Sequence, residues 1–304
     1  MKRLIVAACC LVSFAASAAE PTRAQLEARL DALETTLAGD VCLDPRAARA
    51  VLEAGLPGES SAAPAVEKPT AAAARAALPA DAALPRDQLV ARLKQAVVLV
   101  LTPEASGSGF FVTPDTLITN AHVIEGANGK IALIGPGVGG AEMAQVVAVE
   151  AGKGGLQARD YAILRVTGAK AKATLPIAAQ ATELEPVIAA GFPGLLLDND
   201  IHFQRLLRGT PTGLPDLILS QGSIMAVQNR GSSLPTIAHS AAISAGNSGG
   251  PLVDSCGRVV GINTFIRVSV DQASHAGYAI AAEDVLRFLA ERGVRPTVSA
   301  APCR

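Results

Sequence analysis

A serine lies in a glycine-rich stretch of the chain, Ser244-Ala-Gly-Asn-Ser-Gly-Gly-Pro-Leu252. Glycines on both sides of Ser248 allow a tight turn that residues with a Cβ resist. Such a turn would expose the hydroxyl and aim backbone amides at one point, as an oxyanion hole for acyl transfer requires. The candidate amides are those of Gly246, Asn247 and Ser248. The alternative is an ordinary turn between strands, because Gly and Ser are common in turns.

A serine hydroxyl is a weak nucleophile without a base, so the hypothesis needs a histidine. His122 follows two short apolar segments, residues 109–112 and 116–119, that a Pro114-Asp115 turn separates. This pattern predicts a hairpin that delivers His122 at a strand end, where a cleft can form. The other histidines lie in polar or mixed surroundings and are predicted at the surface or the core edge: His202, His239 and His275.

A carboxylate should hold the imidazole in one tautomer. Asp160 opens the short apolar segment Asp-Tyr-Ala-Ile-Leu-Arg-Val166 and is the preferred candidate. A local turn made by a strand-leading aspartate is the alternative role. Three other aspartates fall in a stretch with the composition of a loop: Asp198, Asp200 and Asp216.

These motifs, in the order His122, Asp160, Ser248, resemble those of the trypsin/chymotrypsin-type serine peptidases. Their residues are most similar to those of the HtrA-like (Deg-type) branch. The resemblance rests on Gly107-Ser-Gly-Phe110, Thr119-Asn-Ala-His122, Asp160-Tyr-Ala-Ile-Leu164, Gly191-Phe-Pro-Gly194, the Ser248 motif, Gly257-Arg-Val-Val-Gly-Ile-Asn-Thr264 and Gly277-Tyr-Ala-Ile280. It covers about two-thirds of the chain, residues 89–292.

Many short apolar runs separated by Gly, Pro and polar turns predict a mainly β barrel or sandwich. The resemblance sharpens this to two six-stranded antiparallel β-barrels, His122 and Asp160 in the first and Ser248 in the second, with the site between them. A C-terminal helix over residues 283–291, with Gly293 as its stop, would close the domain. The implied activity is that of a serine endopeptidase acting on protein or peptide substrates without a cofactor or a metal.

The primary substrate pocket is expected beside the Ser248 turn and along the strand after it. Its candidate residues are Ala242, Ile243, Gly261, Asn263 and Thr264. None of them is acidic, so cleavage after Lys or Arg is disfavoured. Small or aliphatic residues are the expected preference.

Composition constrains the partners and the core. A net charge of −1 gives no electrostatic basis for binding nucleic acid or an anionic membrane. Because aromatic residues are only 3% of the chain, Ala, Val, Leu and Ile must fill the core.

The N-terminal third divides by composition. Residues 1–19 have the charged end, apolar centre and small-residue cleavage site of a secretory signal peptide, too short to span a bilayer. A lipid-attachment site at Cys9 is the rival. Residues 20–55 form a predicted helical segment that either packs on the rest or serves self-association or docking, and residues 56–85 an Ala/Pro-rich linker. The peptidase domain is predicted over residues 86–295, with a tail over 296–304, in an exported protein, periplasmic or secreted.

Export makes a disulfide plausible among the three cysteines beyond the signal. Cys256–Cys303 is the favoured pair, Cys42–Cys256 the second. None has the spacing of a metal site.

Two departures from the family are expected. Residues 195–215 are longer and more polar than a tight hairpin needs, which predicts an inserted loop. The chain ends about a dozen residues after the last predicted helix, so a PDZ domain is not expected. The alternative functions are a non-catalytic or latent binding or chaperone protein on the same fold, and an esterase.

Overall fold

The computed structural model describes residues 81–152, 159–168, 170–229, 234–269 and 274–304. They all belong to one compact unit, Ala65–Arg304. The predicted signal peptide, the helical segment 20–55, Cys42 and most of the predicted linker lie outside the described residues. Among the residues described, no helix is long and apolar enough to cross a membrane.

The first barrel follows a helix that begins one residue after Pro85. Its strands close in the antiparallel order β1-β2-β3-β6-β5-β4. The elements are α1 Arg86–Ala96, β1 Val97–Leu101, β2 Ser106–Phe111, β3 Thr116–Thr119, β4 Ile131–Gly135, β5 Gly140–Ala151 and β6 Asp160–Val166.

Strand β1 is apolar throughout because both of its faces are buried. Val98 and Val100 pack into the barrel interior with Phe111 and Leu117. The alternate residues, such as Leu99, join a second cluster that also holds residues of the later strands. Because successive side chains point to opposite faces of a strand, a strand buried on both faces is apolar throughout.

The second barrel has six strands and closes through a pairing between β11 and β12 in the order β11-β8-β9-β10-β13-β12. Its strands are β8 Pro186–Gly191, β9 Ile218–Gln228, β10 Thr236–His239, β11 Pro251–Asp254, β12 Val259–Ser269 and β13 Ser274–Ala281. The predicted pair of six-stranded barrels is therefore confirmed. The sequence did not predict two further short strands, β7 Ile177–Ala178 and β14 Val298–Ser299; β7 pairs in parallel with β12, and β14 pairs in parallel with β7.

Residues 195–215 are not a plain loop as predicted, because two short helices form there: α2 Gly194–Leu197 and α3 Ile201–Leu207. Asp200 caps α3 by accepting hydrogen bonds from the amides of His202 (2.8 Å) and Phe203 (3.0 Å). Leu197 and Phe203 are buried and anchor the segment. The aspartate cap is a local feature, whereas the burial of Leu197 and Phe203 depends on the rest of the fold.

The chain ends close to where the described part begins. After α4, Ala282–Glu291, the tail continues to Cys303, which forms a disulfide with Cys256. Asp81 pairs with this tail, because its backbone amide donates to the Pro302 carbonyl (2.8 Å). The last residues of the predicted linker are thus hydrogen-bonded to the domain rather than extended from it.

His239 departs from the predicted location at the surface or the core edge. His239 is fully buried in β10, opposite Gly277 of β13. The ring occupies the space that Gly277 leaves, since a Cβ there would lie 2.3 Å from its Cε1. Burial lowers the pKa of His239 to about 4, so the ring is neutral at pH 7.

Candidate active site

His122 and Asp160 are brought together by the pairing of β3 with β6. His122 begins the 3₁₀ turn His122–Ile124 after β3, and Asp160 is the first residue of β6. One carboxylate oxygen of Asp160 lies 2.5 Å from the Nδ1 of His122, and the other accepts from the His122 backbone amide at 3.0 Å. With both oxygens used on the same residue, the ring is oriented with its proton on Nδ1, which leaves Nε2 to act as a base.

The residues on either side of Asp160 are tied to the C-terminal helix. Tyr161 is fully buried, and its hydroxyl donates to Asp284 of α4 at 2.8 Å. Arg159 bridges Glu150 (2.7 Å) and Asp284 (3.2 Å). Burial, reinforced by the Asp284 carboxylate, raises the pKa of Tyr161, so the phenol remains a donor. The start of β6 is therefore held by charge-assisted bonds on both sides of the aspartate.

Asn120 is a supporting residue to which the sequence interpretation gave no role. It is fully buried, and its Nδ2 donates to the Asp160 carbonyl at 2.7 Å and to the Thr264 hydroxyl at 3.3 Å. The bond to Thr264 joins the two barrels beside the His122–Asp160 pair. The signal was present, because Asn120 is an amide side chain directly after β3 and two residues before the candidate base.

Around Ser248, the nucleophile loop (residues 244–250) is held by its carbonyl groups. The Ala245 carbonyl accepts from the Gly194 amide (2.8 Å), and the Asn247 carbonyl from the Gly250 amide (2.9 Å). The carbonyls of Gly246 and Ser248 are both bound by one residue of the first barrel, Ser108, described below. Because each peptide is planar and trans, fixing a carbonyl also fixes the N–H on its other side.

Two of the three candidate oxyanion amides are available. The amides of Gly246 and Ser248 make no hydrogen bond to any residue that the structure describes. The amide of Asn247 instead donates to the Ser244 carbonyl at 3.0 Å within the turn. In this structure the Asn247 N–H closes the turn that presents its neighbours, so the proposed oxyanion donors are the amides of Gly246 and Ser248.

Glycine is required at Gly246 by both conformation and space. Its φ of 95° lies in the left-handed region. A Cβ there would lie 2.4 Å from the Phe192 carbonyl oxygen. The loop can therefore approach residues 192–194 as closely as it does only without a side chain at this position.

The Ser248 hydroxyl is half-buried and donates to the Thr264 carbonyl at 3.3 Å. Within the described residues it makes no hydrogen bond to His122. The bond to Thr264 is long, and catalytic hydrogen bonds in unliganded enzymes often form only when substrate is present.

The candidate pocket residues separate into two groups. Asn263 and Thr264 lie directly against the nucleophile loop, since the Asn263 carbonyl accepts from the Gly249 amide at 2.9 Å. Ala242 and Ile243 lead into the loop, with Ile243 partly buried against the barrel core. Gly261 is not brought to this group, because its Cβ position faces Ile237 and Ala279 inside the second barrel.

One cluster of potential metal-ligating atoms occurs within the described part of the chain: Asp254, Cys256 and Cys303. The two sulfurs are joined in the disulfide, so neither is a thiolate ligand.

Known proteins that are similar to this chain are trypsin-like and HtrA-type proteases. A family model for the trypsin-like peptidase domain matches residues 107–262. Serine protease HTRA1 of Xenopus laevis is 34% identical over 195 residues, covering 62% of this chain and 36% of that protein. Magnetosome formation protease MamE of Paramagnetospirillum magneticum is 31% identical over 206 residues, covering 65% of this chain and 25% of that protein. The chain therefore spans only about a third or less of these relatives' length.

Solved structures show the same fold. A protease of M. tuberculosis H37Rv in an inactive form has a TM-score of 0.51 at 24% identity, covering 71% of this chain and 96% of that one. The serine endoprotease from Yersinia pestis has a TM-score of 0.50 at 25% identity, covering 69% of this chain and 67% of that one.

Proposed function

The chain belongs to the trypsin-like peptidase domain family, and we propose that it is an exported serine endopeptidase that hydrolyses peptide bonds through an acyl-enzyme. The observation that carries the proposal is the nucleophile loop. The four carbonyls of residues 245–248 all accept hydrogen bonds, while the amides of Gly246 and Ser248 have no partner among the described residues and can bind a substrate oxygen.

In the proposed reaction, Ser248 Oγ attacks the scissile carbonyl carbon as Nε2 of His122 takes the hydroxyl proton. The carbonyl π electrons move to oxygen, where the amides of Gly246 and Ser248 stabilise the negative charge. One such donor contributes about 3–4 kcal/mol in comparable sites. The oxyanion then collapses, the C–N bond breaks, and His122 returns the proton to the leaving amine.

Water completes the cycle by the reverse sequence. His122 takes a proton from the water as its oxygen attacks the ester carbon, and the collapse of the second oxyanion expels Ser248 Oγ, which recovers the proton. Throughout, Asp160 holds the Nδ1 proton and stabilises the imidazolium without becoming protonated itself.

For specificity, we propose cleavage after small or aliphatic residues. The support is the chemistry of the residues beside the nucleophile loop, which are Ala242, Ile243, Asn263 and Thr264 and carry no charge. A lysine or arginine side chain would lose its hydration there without gaining a carboxylate partner.

For localisation, we propose export to the periplasm or the medium. The support is the signal-like composition of residues 1–19 together with the disulfide between Cys256 and Cys303. Disulfides persist in oxidising compartments and are rare in the cytosol.

The second candidate is a latent or non-catalytic binding protein on the same fold. The observation that favours it is the Ser248 hydroxyl, which donates to Thr264 rather than to His122. A protein of this kind would be folded and would have the same residues, yet it would not turn over.

A peptide library separates these candidates. The mature protein and Ser248→Ala are incubated with the library, and new termini are identified by mass spectrometry. We expect cleavage by wild type alone, mainly after small or aliphatic residues. Cleavage mainly after Lys or Arg would refute the specificity, and no cleavage by folded wild type would favour the latent protein.

A further inference from the structure

Ser108 lies in β2 of the first barrel but makes its side-chain bonds to the second half of the molecule. The residue is fully buried. Its Oγ donates to the Gly246 carbonyl at 2.7 Å and accepts from the Phe192 amide at 2.9 Å. Its backbone amide donates to the Ser248 carbonyl at 2.9 Å. A hydroxyl has one proton to donate, so the direction of these bonds is fixed.

The two carbonyls that Ser108 binds belong to the peptides on either side of the one that carries the Ser248 N–H. The Ser248 amide belongs to the peptide between Asn247 and Ser248, which lies between the peptides carrying the Gly246 and Ser248 carbonyls. With both neighbours held, and with the Asn247 carbonyl bound by Gly250, the central peptide has little freedom to rotate. Its N–H is therefore kept in one direction.

The Ser108 hydroxyl also acts on the second free amide. By accepting from Phe192 it fixes residues 192–194, and the Gly194 amide in turn binds the Ala245 carbonyl at 2.8 Å. The Gly246 N–H belongs to the same peptide as that carbonyl and points the opposite way. One hydroxyl thus contributes to the orientation of both free amides.

The surrounding space is limited to a side chain of this size. A Cβ on Gly191 would lie 2.8 Å from the Ser108 Oγ, and a Cβ on Gly250 would lie 3.1 Å from the Ser108 Cβ. Glycine at both positions leaves room for a serine.

We propose that Ser108 is a positioning residue that sets the two oxyanion-binding amides in their catalytic orientation. The inference rests on the proposed peptidase function. It predicts that loss of the hydroxyl impairs the chemical step while substrate binding along the cleft is preserved.

The test compares Ser108→Ala with Thr102→Ala. Thr102 is a matched control because its buried hydroxyl also donates to one backbone carbonyl (3.1 Å) and accepts from one backbone amide (2.9 Å), both of Ala105. That pair lies in the turn between β1 and β2, outside the nucleophile loop. For each protein we would measure kcat and KM on a peptide ester, the rate of fluorophosphonate labelling, and the melting temperature.

For Ser108→Ala we expect kcat and the labelling rate to fall about 10–100-fold, with KM within about threefold, because both amides lose their alignment. Thr102→Ala should have a lower melting temperature but an unchanged kcat and an unchanged labelling rate. Wild-type rates in Ser108→Ala, or equal losses in both variants, would overturn the proposal. If Ser108→Ala does not fold, Ser108→Cys decides, since its weak S–H donor should give an intermediate rate and a wild-type rate would refute the role.

The wild type separates this inference from the function on which it rests. Failure of folded wild type to react would overturn the peptidase proposal and the inference with it. Labelling of wild type and Ser108→Ala at equal rates would overturn the inference alone.

Discussion

The two barrels hold their parts of the candidate site in different ways. In the first barrel, the Asp160 side chain orients His122, since one carboxylate oxygen binds the ring Nδ1 and the other accepts from the His122 backbone amide. In the second barrel, the loop around Ser248 is held mainly through its backbone carbonyls, which leaves two amides free. The difference shows that one half depends on which residues are present, and the other on how peptide planes are turned.

The largest effect on kcat is expected for Ser248 and His122, the residues through which the two barrels form one site. Ser248→Ala or His122→Ala should lower kcat by about 10⁶, and the double variant should be no worse, because the two residues act as a unit. Folding should be preserved, since the Ser248 hydroxyl makes one long hydrogen bond and the His122 side chain is 46% exposed. Near-wild-type turnover in either variant, or additive losses in the double variant, would show that Ser248 and His122 do not act as a unit.

The next largest effect on kcat concerns the contact between Asp160 and His122 in the first barrel. Asp160→Asn should lower kcat by about 10⁴, because an amide NH₂ facing Nδ1 favours the tautomer that protonates Nε2. Asp200→Asn is the control, since asparagine also caps a helix well and α3 should remain intact. Initial rates for both variants check this, and a loss below tenfold for Asp160→Asn would mean that the ring is oriented by other contacts.

The backbone half is tested by Gly246→Ala. Both φ and the contact with Phe192 oppose a Cβ there, so the Gly246 amide should be displaced and kcat should fall about 10²–10³-fold. Gly129→Ala is the matched control, with a φ of 76° and no atom within 4 Å of the added Cβ. It should lose some stability and keep its kcat. Equal kcat in the two variants would show that the amide direction at Gly246 does not matter.

The smallest effect concerns stability rather than catalysis in the second barrel. His239 has a folded-state pKa of about 4, below its unfolded value, so the unfolded chain binds the extra proton first as pH falls. Its stabilising contribution is complete above about pH 6.5 and is lost as pH falls toward 4, a change of about 3 kcal/mol.

Urea unfolding of wild type and His239→Leu across this pH range measures the difference. We expect the wild-type free energy of unfolding to fall more steeply with decreasing pH than that of the variant. Parallel curves would show that the ring is protonated equally in the folded and unfolded states.

What the sequence could predict follows the same division. The barrels were predictable because their apolar segments and turns are local signals, and the candidate residues because Asp, His and Ser stand out in an apolar chain. The direction of the Asn247 amide could not be predicted, because peptide orientation in the loop depends on partners distant in sequence such as Ser108 and Gly194. The helices at 194–207 were missed because short helices anchored by Leu197 and Phe203 gain their stability from tertiary packing.

The proposed function requires that Ser248 is an activated nucleophile in an assembled cleft. Intact mass spectrometry of the purified mature protein after fluorophosphonate treatment tests it directly, with Ser248→Ala measured in parallel. We expect a single adduct on wild type and none on the variant. No adduct on folded wild type, or an adduct on both proteins, would contradict it.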